Sequence, residues 1–201
     1  MNVYVETNFV LELALIQEEH ESCEQILEIC KGGKAQLILP AYSLAEPYET
    51  LIRRDRDRKR LADTLEVELN QLGRSAPYKA EIDPLRAVTS LLTKSGSEER
   101  RRLTKVQETL LNVAEIIPLS KEILSSAHNY EKEHGLSPQD SIVYASALWH
   151  LNISRSSVNC FVNRNPKDFG DPDVKGILDK YNCRILFKFV DGLSYVRSHI
   201  G

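Results

Sequence analysis

Five oxygen-bearing side chains stand where an α/β protein gathers its ligands. Glu6 follows the apolar run Val3-Tyr4-Val5, Glu46 lies three residues after Ser43, and Asp140 lies three after Ser137. Asn165 and Asp168 follow the apolar run Val158–Val162. In an open parallel sheet the crevice outside the carboxyl ends of the strands is the ligand site. Acids in the first turn of a helix are steadied by its positive terminus. If these segments converge, several carboxylates line one cleft. Such crowding is tolerable around a divalent cation, and a donor set without thiolate or imidazole suits hard Mg²⁺ or Mn²⁺. Each residue also has a plainer reading. Ser43-x-x-Glu46 is a capping-box pattern, and Ser137-Pro138-Gln139-Asp140 is a looser one with Pro at the first helical position. Glu6 can mark a strand end, and Asn165 and Asp168 can be ordinary loop residues. The joint placement after strands and at helix starts favours the cation.

The elements that must position these groups alternate between short strands and helices. Asn2 to Val5 reads as a strand, and Thr7 or Asn8 as the cap of a helix through Phe9, Val10, Leu13 and Ile16. A helix carrying Cys23, Ile26, Leu27 and Cys30 stops at Gly32-Gly33. Gln36 to Leu39 is a strand ended by Pro40. Leu44, Tyr48, Leu51 and Ile52 then recur with helical spacing. Periodicity resumes at Leu61, Leu65 and Leu69, breaks at Gly73 and Pro77, and breaks again at Ser95-Gly96-Ser97 before a helix over Glu98 to Val113. Ser120 and Ser137 open two further helices. A strand over Val158 to Val162, a polar loop over Asn163 to Asp173, a helix over Val174 to Lys180 and a strand over Arg184 to Phe189 complete the pattern. Strands separated by helices predict an α/β fold with a mainly parallel sheet.

Composition narrows the classes. The 201 residues carry 26 Lys plus Arg against 29 Asp plus Glu, with 42% hydrophobic residues, which excludes disordered, collagen-like and rod-like chains. No apolar run reaches the roughly 20 residues that cross a bilayer. No export signal is visible at the N-terminus, so the expectation is a cytoplasmic protein without membrane attachment. Cys23, Cys30, Cys160 and Cys183 sit in apolar patterns as free thiols. No zinc spacing is visible among the cysteines and histidines. Residues 1–50 hold two basic and nine acidic side chains, whereas residues 51–110 hold 14 basic and 10 acidic. An acidic site beside a basic surface suits a protein that binds both cations and polyanions.

Four segments, in this order, resemble the PIN-domain nucleases, including VapC-like toxin ribonucleases. They are Val3-Tyr4-Val5-Glu6-Thr7-Asn8, Pro40-Ala41-Tyr42-Ser43-Leu44-Ala45-Glu46, Leu136-Ser137-Pro138-Gln139-Asp140-Ser141 with the helix to Ala147, and Phe161-Val162-Asn163-Arg164-Asn165-Pro166-Lys167-Asp168-Phe169. The resemblance implies a three-layer α/β/α fold over residues 1–201, with an enlarged helical insertion at about 53–116. It implies Mg²⁺- or Mn²⁺-dependent hydrolysis of RNA. By position, Glu6, Glu46 and Asp140 are the catalytic metal ligands, Asn165 and Asp168 the secondary metal positions, and Thr7 and Asn8 supporting groups. The family usually has Asp where this chain has Glu6, and often an acid where it has Asn165. The same resemblance makes an antitoxin protein and a second copy of the chain candidate partners, with the helices at Glu98–Val113 and Ser120–His134 as candidate interfaces.

Arg53-Arg54-Asp55-Arg56-Asp57-Arg58-Lys59-Arg60 places six cations in eight residues just beyond Glu46. On a helix Arg53, Arg56 and Arg60 share a face with Lys59 beside it; together with Arg164 these are the expected RNA-phosphate contacts, and Arg100, Arg101 and Arg102 extend the basic surface. A solvated helix laced by Asp55 and Asp57 is the plainer reading. Tyr42, Tyr48 and Tyr78 can stack on bases or simply pack. The rival to a ribonuclease is a PIN-like RNA- or protein-binding module that no longer cleaves. A phosphatase-type enzyme fits poorly, because it wants an Asp nucleophile where Glu6 stands.

Overall fold

The computed structural model describes residues 1–200. Strands β1 (Asn2–Val5), β2 (Gln36–Pro40), β3 (Glu115–Ile117), β4 (Asn159–Val162) and β5 (Cys183–Leu186) form one sheet in the order β3-β2-β1-β4-β5. Every pairing is parallel, with Tyr4 opposite both Ile38 and Phe161. Parallel strands need crossovers, and the helices supply them: α1 (Thr7–Leu15) and α2 (His20–Lys31), α3 (Ala41–Leu72) and α4 (Lys79–Val113), α5 (Lys121–His134) and α6 (Pro138–Ile153), then α7 (Pro166–Phe169) and α8 (Pro172–Asp179). Helix α9 (Phe189–His199) follows β5.

Alternation along the strands divides the core in two. Val3, Val5, Leu37, Leu39, Cys160 and Val162 pack with Phe9, Ile26, Leu103, Leu110 and Phe189 from α1, α2, α4 and α9. Tyr4, Ile38, Phe161 and Cys183 face the other way, onto Ile123, Val143, Tyr144 and Leu178 from α5, α6 and α8. The result is the expected α/β/α sandwich, in which each fully buried Leu, Ile or Phe contributes about 1.5–3 kcal/mol. Helix α1 is apolar on nearly every side and accordingly buried. Its buried Glu12 is compensated by Arg164 and by the backbone amide of Glu19.

Several local expectations are corrected. The cap of α1 is Glu6 itself, whose carboxylate accepts from the Asn8 amide. Ser43 caps nothing: α3 begins at Ala41, and the Ser43 hydroxyl is buried inside it without a partner. No break occurs at Ser95-Gly96-Ser97, because α4 runs through it. Gly96 is instead a point of close approach, where a Cβ would collide with Asp55 Oδ1 of α3. The three-residue β3 is too short for a periodic signal. Residues 166–169 of the polar loop form α7, and the last strand stops at Leu186. Phe189 starts α9, whose first amides are accepted by the distant Glu19 carboxylate.

Helices α3 and α4 form a long antiparallel hairpin joined through a short 3-10 turn at Ala76–Tyr78. Ala62 and Leu69 of α3 and Ile82 of α4 are buried along its outer part, while Leu51 of α3 and Leu103 and Leu110 of α4 join the core against the sheet. Mid-seam, Arg58 donates to Glu99 Oε2 at 2.8 Å and to Ser95 Oγ at 3.1 Å. The region expected as an insertion is most of this hairpin.

Candidate active site

The strand order reverses direction at β1, so the crevice lies where β1 and β4 end side by side. A cleft of about 360 Å³ opens there, lined by Glu6, Thr7, Asn8, Leu11, Glu46, Thr50, Arg53, Ser137, Gln139, Asp140 and Asn165. Its acids come from three separate elements. Glu6 leaves β1 as the cap of α1, with Oε2 accepting from the Asn8 amide at 3.0 Å and Oε1 from Asn8 Nδ2 at 2.7 Å. Glu46 sits in the second turn of α3, and its carboxylate accepts from the Thr7 hydroxyl. Asp140 lies in the first turn of α6, where Ser137 Oγ accepts from the Asp140 amide at 3.1 Å and donates to Oδ2 at 2.5 Å. The Ser137 capping pattern therefore forms as expected. Asn165 caps α7 and donates to Asp168 Oδ2 at 2.6 Å.

Electrostatics tie these groups together. Burial pushes the Glu6 carboxyl up to about 7; hydrogen bonds from Asn8 oppose the shift, and the charges of Asp140 and Glu46 add to it. Glu46 is raised by burial and then by Asp140 and Glu49, against the Thr7 hydrogen bond. Asp140 is raised by burial and by Asp168, with Ser137 and Asn165 opposing. Tyr42 is raised by burial and then by Glu46, Glu49 and Asp140, which places it within reach of the same field. Acids that disfavour each other's charge in one cleft are relieved by a cation.

Among the described residues no three His, Cys, Asp or Glu side chains stand ready-made as a metal cage. The donor chemistry nonetheless fits a hard cation: the cleft offers carboxylate, amide and hydroxyl oxygens and no sulfur or imidazole. Two buried polar groups close in sequence to its lining residues also lack partners, the Ser43 hydroxyl one turn before Glu46 and the Asn163 amide nitrogen two residues before Asn165.

Of the residues expected from the sequence, Glu6, Thr7, Asn8, Glu46, Arg53, Asp140 and Asn165 line the cleft. Asp168 does not line it but acts on Asp140. Arg53 and Arg60 follow Glu46 by seven and fourteen residues, so they continue its stripe along α3; Arg56 is an exposed neighbour. Lys59 is paired with Asp55 at 3.0 Å. Arg164 is held by Glu12, Glu18 and Glu19, and this ion-pair cluster lies beside α1 instead of in the cleft. Arg102 donates to the Ala14 carbonyl, closing the end of α1. Tyr78 belongs to the hairpin turn, far along the chain from the acids. Sequence reasoning missed Thr50 and Gln139. Thr50 had a signal, because it follows Glu46 by four residues on the same helix face.

A PIN domain family model matches residues 3–169. The chain belongs to the PIN domain family. That match spans β1 through α7 and so takes in every acid of the cleft. No curated protein and no solved structure matches the chain. PIN domains are nucleases in general and usually use divalent metal ions, which agrees with an all-oxygen cleft. Among the described residues no helix is long and apolar enough to cross a membrane.

Proposed function

We propose that this PIN domain is a divalent-metal-dependent ribonuclease that hydrolyses RNA phosphodiester bonds in the cleft between β1, β4 and α3. One observation carries the reading: Glu6, Glu46 and Asp140, from three distant parts of the chain, line the same cleft, where the Asp140 charge raises the proton affinity of both glutamates and Glu46 adds to that of Glu6. These three would hold Mg²⁺ or Mn²⁺, with Asn165 on the polar rim and Asp168 acting through Asp140. A cation there would neutralise phosphoryl oxygen charge and acidify water, the two services that phosphodiester hydrolysis needs.

The chain's own groups do the rest. Thr7 orients the Glu46 carboxylate, Asn8 fixes both oxygens of Glu6, and Ser137 fixes Asp140. Arg53, exposed at the lip of the cleft, is placed to hold a substrate phosphate. Water would form the new bond to phosphorus and the P–O3′ bond would break, the 3′ oxygen leaving with a proton, so that the products would carry a 5′ phosphate and a 3′ hydroxyl. Calorimetry with Mn²⁺ and a cleavage assay on single-stranded RNA test this together. Both signals are expected in the native protein and both are lost in Asp140→Asn.

One feature favours the rival reading of a binding module. Both Glu6 oxygens are already occupied by Asn8, and Asn165 brings no charge. Cation binding with no cleavage of any RNA pool would select that reading.

A further inference from the structure

Helix α1 ends on a residue that stability alone would not choose. Ile16 closes it in the left-handed conformation, at φ 53° and ψ 57°, which strains a β-branched residue and which glycine adopts freely. Packing gives little compensation, because Ile16 is 55% exposed. Strain of this kind, kept where the fold does not need it, points to a surface that meets something. With Gln17, Glu18 and Arg164, Ile16 lines a hollow of about 540 Å³. The hollow adjoins the acidic cleft. Arg164 immediately precedes Asn165, which lines the cleft, so their Cα atoms stand about 3.8 Å apart. Leu11, also of the cleft, precedes Ile16 by about 7.5 Å along α1. A strand with its scissile phosphate in the cleft has a neighbouring nucleotide within reach of the hollow.

Charge decides which part of that nucleotide fits. Arg164 is fixed by buried Glu12 through Nη1 and by Glu19, 3.7 Å from Nε. Glu18 stands 3.4 Å from Nη2, and its side chain is 85% exposed. One cation among three acids repels a phosphate, so the hollow suits an uncharged base. Ile16 offers an apolar surface for the face of the base. Arg164 Nη2 offers a donor, and the Glu18 carboxylate offers two acceptors side by side. Guanine alone among the four bases carries two adjacent donors to match a carboxylate, N1–H and the N2 amine. Its O6 stands next to them and accepts from a guanidinium.

We propose that this hollow is a subsite for a guanine base flanking the scissile phosphate, with Glu18 and Arg164 reading its edge and Ile16 packing its face. The subsite rests on RNA being the substrate of the cleft, yet the two fail separately. Guanosine added to the isotope-labelled chain is expected to shift the amide resonances of Ile16, Gln17, Glu18 and Arg164. Adenosine, cytidine, uridine and inosine, which lacks only the N2 amine, are expected to bind about tenfold more weakly, and Glu18→Gln to abolish the difference. Ile16→Gly is expected to weaken guanosine binding while melting no lower than the native chain, whereas loss of an isoleucine kept for structure would lower the melting temperature alone. In Mn²⁺, mapping the ends cut from a randomised single-stranded RNA is expected to place guanine beside the cut, a bias lost in Glu18→Gln. Absence of any cleavage would remove the ribonuclease reading and leave the guanosine titration to decide the subsite. An equal response to all the nucleosides, no shift at the four residues, or cuts without base preference would overturn it.

Discussion

Burial and the facing Asp168 charge hold the proton on Asp140 more tightly than on a free aspartate, so its ionised form carries strain until something positive arrives. Asp140→Asn keeps an oxygen for the Ser137 hydroxyl and removes the charge. In the presence of a chelator this variant is expected to be more stable than the native chain by urea denaturation, while its Mn²⁺ affinity falls at least about tenfold. Glu6 yields a pH prediction. Its folded value of about 7 lies above the ordinary 4.5. Between those values the native state binds more protons than the unfolded one, so stability falls as pH rises and levels off beyond the upper value. The full effect is on the order of 3 kcal/mol. Glu6→Gln is expected to flatten the profile, and an unchanged slope would assign it to other groups.

At the scale of elements, Gly96 separates what spacing can show from what only packing shows. Flanked by serines, it has the signature of a helix break, yet the break is absent because the glycine admits Asp55 where the two helices meet. Gly96→Val is expected to cost about 2 kcal/mol, although an isolated helix would gain by the change; thermal unfolding measures it. The strands β1, β2 and β4 were legible because buried parallel strands are continuous apolar runs. The acids were legible because each follows a strand or opens a helix. What escaped was fixed non-locally. Helix α9 is capped by Glu19 from another part of the chain, β3 has three residues and no periodicity, and Ser43 looks like a cap but is packed inside α3. Arg164 offered a second such trap, since its charge is matched by Glu12 and its neighbours.

For the whole molecule, the juxtaposition of an acidic mouth with a basic arm makes two ions matter in opposite ways. At the proposed site protons would compete with a cation for Glu6, Glu46 and Asp140, all of which are raised, so Mn²⁺ affinity is expected to climb as pH rises toward and past 7; calorimetry across that range follows it. If RNA phosphates lie along the α3 stripe as proposed, monovalent salt would compete with them there instead. Replacing Arg53 and Arg60 by Ala is expected to lower the slope of log affinity against log salt by about 0.7 for each phosphate left unneutralised, and an unaltered slope would remove the stripe from the RNA path. Helix α6 adds a mechanical point. Its first turn presents Asp140 to the cleft. Some ten residues and about 15 Å further on, His150 is clamped between the Tyr4 hydroxyl at 2.7 Å and the Glu115 carboxylate at 3.0 Å. The helix is thus a strut pinned at its blind end, and a loosened pin there would let the working tip wander without any change at the mouth itself.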